Sequence, residues 1–176
     1  MLARPHILFP SALKYGKIII SRDLEPYMMN SLKAAIYSSS SEEQTMQHAY
    51  QLGQSLVPNS IVCFHGDLGA GKTTFIKGLV SGATNCLPSE VNSPTFVYMN
   101  IYEGQKTVYH FDLYRLNHAD EFLGMGFDDL LYANGICCIE WAERIQNLIP
   151  PHAISVTIQH TGEHERHIVI KPGQSI

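Results

Sequence analysis

The segment Gly66-Asp67-Leu68-Gly69-Ala70-Gly71-Lys72-Thr73 fills every fixed position of the pattern G-x-x-x-x-G-K-[ST], and no other stretch of the chain restricts the fold as tightly. Such a loop works only between a strand and a helix. Ile61 to His65 is a short apolar run that predicts the strand, while Phe75, Ile76, Leu79 and Val80 recur at helical spacing and predict a helix over about 71–81. The glycines let successive backbone N–H groups turn inward on phosphate oxygens, and the helix N-terminus adds the positive end of its dipole. Lys72 is expected to reach the β- and γ-phosphates. Thr73, with Thr74 beside it at the helix start, is expected to offer its hydroxyl to Mg²⁺.

Around this unit the pattern is that of an α/β domain. Ser41 with Gln44 three residues on is a capping-box signature, and Glu42 and Glu43 occupy the first turn, where the dipole favours anions. Met46, Ala49, Tyr50, Gly53 and Leu56 share one face, which predicts a helix over about 42–56. Strands are predicted at Thr95 to Tyr102 and Lys106 to Asp112, joined by a hairpin at 103–105, and at Ile136 to Trp141. A closing antiparallel pair is predicted at Ile154 to Gln159 and His167 to Ile170. Asn117 is expected to cap a helix over His118 to Leu123, and Asp128 to Tyr132 to form a further helical turn.

A chain of 176 residues suits one domain with a real core. Its 12 Lys+Arg against 16 Asp+Glu supply no basic surplus for holding nucleic acid through phosphate neutralisation. The charge is uneven. Residues 1–29 carry four basic and two acidic side chains, leaving eight and fourteen on the remainder. That first segment is expected to be an extension, poorly ordered or preceding a true start at Met28 or Met29, with residues 30–176 as the functional domain. Cys63, Cys86, Cys137 and Cys138 show no C-x-x-C spacing and fit buried free thiols, hence a reducing, cytoplasmic setting. The longest strongly apolar runs are strand-sized, so no membrane partner is expected.

A phosphate loop also needs a carboxylate at the end of a neighbouring strand. Val108-Tyr109-His110-Phe111-Asp112 and Ile136-Cys137-Cys138-Ile139-Glu140 both end that way, and spacing alone leaves open which acid holds the metal and which positions water. Ser93-Pro94-Thr95 lies where a loop could sense the γ-phosphate. Trp141, the only tryptophan, follows Glu140 and could stack on a ligand or cap the core. His160, His164 and His167 alternate faces on the expected strand pair, which argues against a zinc site.

Taken in order, the Gly66 to Phe75 segment, Val91-Asn92-Ser93-Pro94-Thr95-Phe96, Tyr109-His110-Phe111-Asp112-Leu113-Tyr114-Arg115-Leu116 and Ile139-Glu140-Trp141-Ala142-Glu143 closely resemble the TsaE (YjeE) family of small bacterial ATPases, over about residues 41–170. The resemblance implies a P-loop NTPase-like three-layer sandwich, a central mixed sheet flanked by helices. It implies an ATP- and Mg²⁺-dependent ATPase required for N6-threonylcarbamoyladenosine at position 37 of tRNA. It also implies work with TsaB and TsaD proteins, TsaD transferring the group and ATP hydrolysis resetting the complex, so that tRNA is met through the complex.

By the same resemblance Thr73 and Glu140 bind Mg²⁺, Asp112 serves hydrolysis and Thr95 sits in a switch-like loop. Nucleotide contacts extend from Gly66 through Thr74 to an adenine side at Glu42 to Thr45 and Gly162 to Arg166. His48-Ala49 stands where the family commonly has Leu-Gly, which bears on that adenine side. Arg115, Arg144 and Arg166 are the arginines of this region, and none has an obvious finger position, so turnover alone is expected to be slow and partner-stimulated. Two rival functions fit the same loop. One is a small-molecule kinase, against which the scarcity of lid arginines speaks. The other is a module in which ATP gates assembly without essential hydrolysis.

Overall fold

The computed structural model describes residues 32–174, and the expected extension at 1–29 lies outside them. Seven strands form one mixed sheet: β1 (Ala35–Ser39), β2 (Ile61–His65), β3 (Met99–Tyr102), β4 (Val108–Asp112), β5 (Ile136–Glu140), β6 (Ile154–His160) and β7 (Arg166–Lys171), ordered β1-β7-β6-β2-β5-β4-β3. The four central strands, β6, β2, β5 and β4, run parallel. β3 and the β7-β1 pair flank them antiparallel.

Because side chains alternate along a strand, each central strand feeds two cores. Val62 and Phe64 of β2, with Val108, Ile136 and Cys138, pack beneath α1 (Glu42–Ser55) and α2 (Lys72–Thr84). Ile61, Cys63, Phe111, Cys137 and Ile139 pack on the opposite face against Phe122 of α3 (Ala119–Gly124) and two 3₁₀ segments, Asp129–Tyr132 and Ala142–Leu148. This is the three-layer sandwich expected from the sequence.

Helices α1 and α2 approach backbone to backbone. A Cβ at Gly78 would lie 2.2 Å from the Met46 carbonyl oxygen, and one at Gly82 2.1 Å from that of Tyr50. Gly53 of α1 reciprocates against Leu79. At the far end of α1, the Lys106 ammonium donates to the carbonyls of Gly53, Gln54 and Leu56 at 3.2, 2.8 and 2.6 Å, meeting acceptors that the helix end leaves unpaired.

Several expectations change. The buried stripe of α1 is Thr45, Ala49, Leu52 and Gly53, with Tyr50 exposed. α2 continues to Thr84, three residues beyond its expected end. Thr95 to Tyr98 is a turn rather than strand, because the amides of Val97 and Tyr98 both return to the Pro94 carbonyl, at 2.9 and 2.7 Å. His118, not Asn117, is the N-cap of α3. Strand β1 and the segment Ala142–Leu148 are additional elements. Among the described residues no helix is long and apolar enough to cross a membrane.

Candidate functional site

The loop leaves β2 through Gly66, whose φ of 141° and whose approach to Ile158 leave no room for a side chain: a Cβ would lie 2.3 Å from that carbonyl. Gly71 ends the loop at φ 105° and is the N-cap of α2 without a side-chain capping bond, so the first-turn amides remain available to an anion. Lys72 is buried. Its Nζ donates to the carbonyls of Gly66 and Asp67 at 2.7 and 2.9 Å and sits 4.5 Å over the Trp141 ring. Asp67, Leu68 and Gly69 are exposed along the loop, and Ala70 is buried.

Strands β4 and β5 pair so that Asp112 stands opposite Glu140, both on the α2 side of the sheet. Glu140, 3% exposed, accepts the Thr73 hydroxyl on Oε1 at 2.9 Å. Asp112, 5% exposed, faces a different loop: its Oδ2 accepts from Ser93 Oγ at 2.7 Å and Thr95 Oγ1 at 2.5 Å, and its Oδ1 from the Tyr114 amide at 3.1 Å. The two carboxylates left open by spacing thus have distinct surroundings, one against the helix that follows the phosphate loop and one against the Ser-Pro-Thr turn. Two hard oxygens, on Thr73 and Glu140, suit Mg²⁺, which takes one or two protein ligands and completes its shell with phosphates and water.

Trp141 leaves β5 in the left-handed region, φ 60°, an uncommon conformation for a bulky residue. Its ring lies 5.0 Å from Tyr114. The half-buried Trp141 ring borders Lys72, while Tyr114 beside it is exposed. Arg115 covers the exposed Phe96 ring at 4.3 Å.

A cleft of about 450 Å³ opens beside the loop, lined by Ser40 to Glu43, Thr45, Gly69, Gly71, Thr74, His164 and Arg166. Glu42, Thr74 and Arg166, named separately from the sequence, all line this one cleft. Thr45 lines the cleft but is 2% exposed, its hydroxyl held by Ser39 Oγ at 2.7 Å and by its own helix. Gly162 lies outside the lining, in the turn before β7. Arg166 is closer to the phosphate loop than expected, its Nε donating to the Ala70 carbonyl at 2.9 Å. The capping box is shifted: Ser41 accepts from the Gln44 amide, but the Gln44 side chain returns to Ser40. Bonds from its own amide and from the Ser41 hydroxyl hold the Glu43 carboxyl below its usual value. Where the family pattern is broken, His48 stacks on Tyr37 at 4.4 Å and Ala49 is buried.

His110 was not among the expected site residues, yet its Nε2 lies 3.0 Å from Glu140 Oε1. The available signal was its position two residues before Asp112, hence on the same face.

The family model described as threonylcarbamoyl adenosine biosynthesis protein TsaE matches residues 39–168. A tRNA threonylcarbamoyladenosine biosynthesis protein TsaE from Treponema pallidum is 34% identical over 132 residues, covering 75% of this chain and 96% of its own. The protein of the same name from Aquifex aeolicus is 38% identical over 145 residues, covering 81% and 98%. The crystal structure of YdiB from Bacillus subtilis aligns with a TM-score of 0.63 at 28% identity, over 81% of this chain and 87% of that one. With the phosphate loop, the paired carboxylates and this match across the sheet, the chain belongs to the TsaE family.

Proposed function

We infer that residues 30–176 form a Mg²⁺-dependent ATPase that serves N6-threonylcarbamoyladenosine formation at position 37 of tRNA, acting with TsaB and TsaD proteins to reset their complex rather than transferring the group. The observation that carries this reading is the convergence of Lys72, Thr73 and Glu140 on one end of the phosphate loop, with Asp112 one strand away. In the mechanism, the loop amides and Lys72 hold the phosphate charge. Thr73 and Glu140 would hold Mg²⁺, which supplies Lewis-acid charge stabilisation at the phosphate oxygens. Asp112 orients the attacking water once the Ser93 and Thr95 hydroxyls release it. Glu42, Thr74 and Arg166 border the space for the nucleoside. Arg166 is committed to the loop carbonyl of Ala70 and Arg115 to Phe96, which supports a low intrinsic rate completed by a partner.

The test is reconstitution with TsaB, TsaD and tRNA, counting modified adenosines per complex over time. Sustained turnover is expected with this chain and arrest after the first round without it or with Lys72→Ala. Equal product in all three refutes the role. Equal sustained product with a nonhydrolysable ATP analogue moves the reading to a nucleotide-gated assembly module.

A further inference from the structure

His110 lies on β4 with its ring fully buried, at 0% exposure. Its Nε2 approaches the same Glu140 oxygen that accepts the Thr73 hydroxyl. Its Nδ1 is buried with no hydrogen-bond partner. These contacts assign the proton. A carboxylate oxygen can only accept, so Nε2 carries hydrogen. A second hydrogen on Nδ1 would be a buried donor with nothing to meet, whereas an unpaired acceptor is better tolerated. His110 therefore presents one N–H to Glu140. That N–H and the Thr73 hydroxyl converge on Oε1, and no donor among the described residues reaches Oε2.

We propose that His110 is a positioning residue. Its Nε2–H fixes the Glu140 side chain so that one oxygen stays on Thr73 and the other is left to a divalent cation, and so sets the Mg²⁺ dependence of nucleotide binding rather than the affinity for nucleotide itself. The inference rests on reading Glu140 as a cation ligand. Carboxylate ligands depend on such outer partners, whose loss weakens metal binding about 10–100-fold.

The experiment is equilibrium binding of a fluorescent ADP analogue, titrated with Mg²⁺ and repeated in EDTA. His110→Leu is expected to raise the Mg²⁺ concentration giving half-maximal effect about tenfold while leaving the EDTA affinity unchanged. His110→Gln, whose amide N–H can reach the position of Nε2, is expected to restore the wild-type curve; His110→Asn, one carbon shorter, is not. A purely structural histidine predicts the reverse order, with the volume-filling leucine benign and the two amides alike. A wild-type Mg²⁺ curve for His110→Leu, or equal curves for the Gln and Asn variants, overturns the proposal. Should His110→Leu fail to fold, the Gln and Asn pair decides alone. Glu140→Gln separates the two levels: if it also leaves the Mg²⁺ curve unchanged, the assignment of Glu140 as ligand fails. If it shifts the curve where His110→Leu does not, only the positioning role fails.

Discussion

The Thr73 hydroxyl donates to Glu140 Oε1 at 2.9 Å, joining two residues 67 positions apart in the chain. A pair that serves one cation should respond to mutation as one unit. Thr73→Val and Glu140→Gln are each expected to lower ATP turnover roughly a hundredfold, and the double variant to be no slower than the worse single. Phosphate-release rates of the four proteins close this cycle. Losses that multiply would show the two side chains acting separately.

Asp112 has both oxygens engaged, by Ser93, Thr95 and the Tyr114 amide. Asp112→Asn is expected to bind ATP with unchanged affinity but to hydrolyse it on the order of 10²–10⁴ times more slowly, the usual range for losing a carboxylate held on the attacking water. Thr95→Ser keeps the hydroxyl and should be close to wild type, whereas Thr95→Val should not. Matching affinity and single-turnover data for the Ser and Val variants would remove Thr95 from the mechanism.

Gly78 and Gly82 carry α1 on α2 without intervening side chains. Alanine at either site must push the helices apart, and a destabilisation of about 1–3 kcal/mol is expected from urea unfolding, together with weaker nucleotide binding as the α1 N-terminus moves from the cleft. Gly124→Ala, with nothing within 4 Å of its Cβ, is the control and should be neutral or slightly stabilising.

Among the described residues Lys106 has no negative partner; its three acceptors are carbonyls at the end of α1. Lys106→Met retains the stem and removes the donors, so a loss of about 1–2 kcal/mol is expected in the same unfolding assay. A melting temperature equal to wild type would show that water caps the helix equally well.

Burial pushes the Cys63 and Cys137 thiols up to about 12 and the Cys138 thiol well above its ordinary value. Their folded values exceed the unfolded one near 9, so the stability they contribute is full below pH 9 and declines as pH rises toward 12. At pH 8 only the half-buried Cys86 should react readily with a disulfide reagent, and the other three at the rate of opening. Rapid titration of all four thiols in the native protein would contradict this.

The elements legible beforehand were those whose signal is local. Ile61–His65 and the Lys72 helix are an apolar run and a 3.6 period bounded by glycines. The acids ending β4 and β5 were visible as terminators, but not which one faced Thr73, because that depends on a sheet order that places β5 between β2 and β4. Strand β1 escaped notice because Ala35-Ile36-Tyr37-Ser38-Ser39 is polar at its end and lies at an edge, with Ile36 69% exposed. Thr95 to Tyr98 has the β-branched and aromatic composition of a strand. The Pro94 carbonyl nevertheless closes a turn there and Tyr98 takes φ 66°. His110 went unassigned because its one signal, sharing the Asp112 face two residues away, does not say what it meets; that depends on β5 lying beside β4 and bringing Glu140 to its Nε2.

The parallel register of β4 and β5 has a consequence for how the two acids differ. Opposed residues on neighbouring strands are held at an interstrand spacing of about 4.8 Å, so the interval between the Asp112 and Glu140 backbones belongs to the ladder and no side-chain change can tune it. Strand position is the remaining variable. β5 adjoins β2, so the acid ending it meets the helix after the phosphate loop, whereas the acid ending β4, one strand further out, meets the Ser93 to Thr95 turn. On the inferred mechanism, the separation of cation binding from water activation is written into the strand order, and lengthening or shortening either carboxylate would change its reach without changing which side of the site it faces.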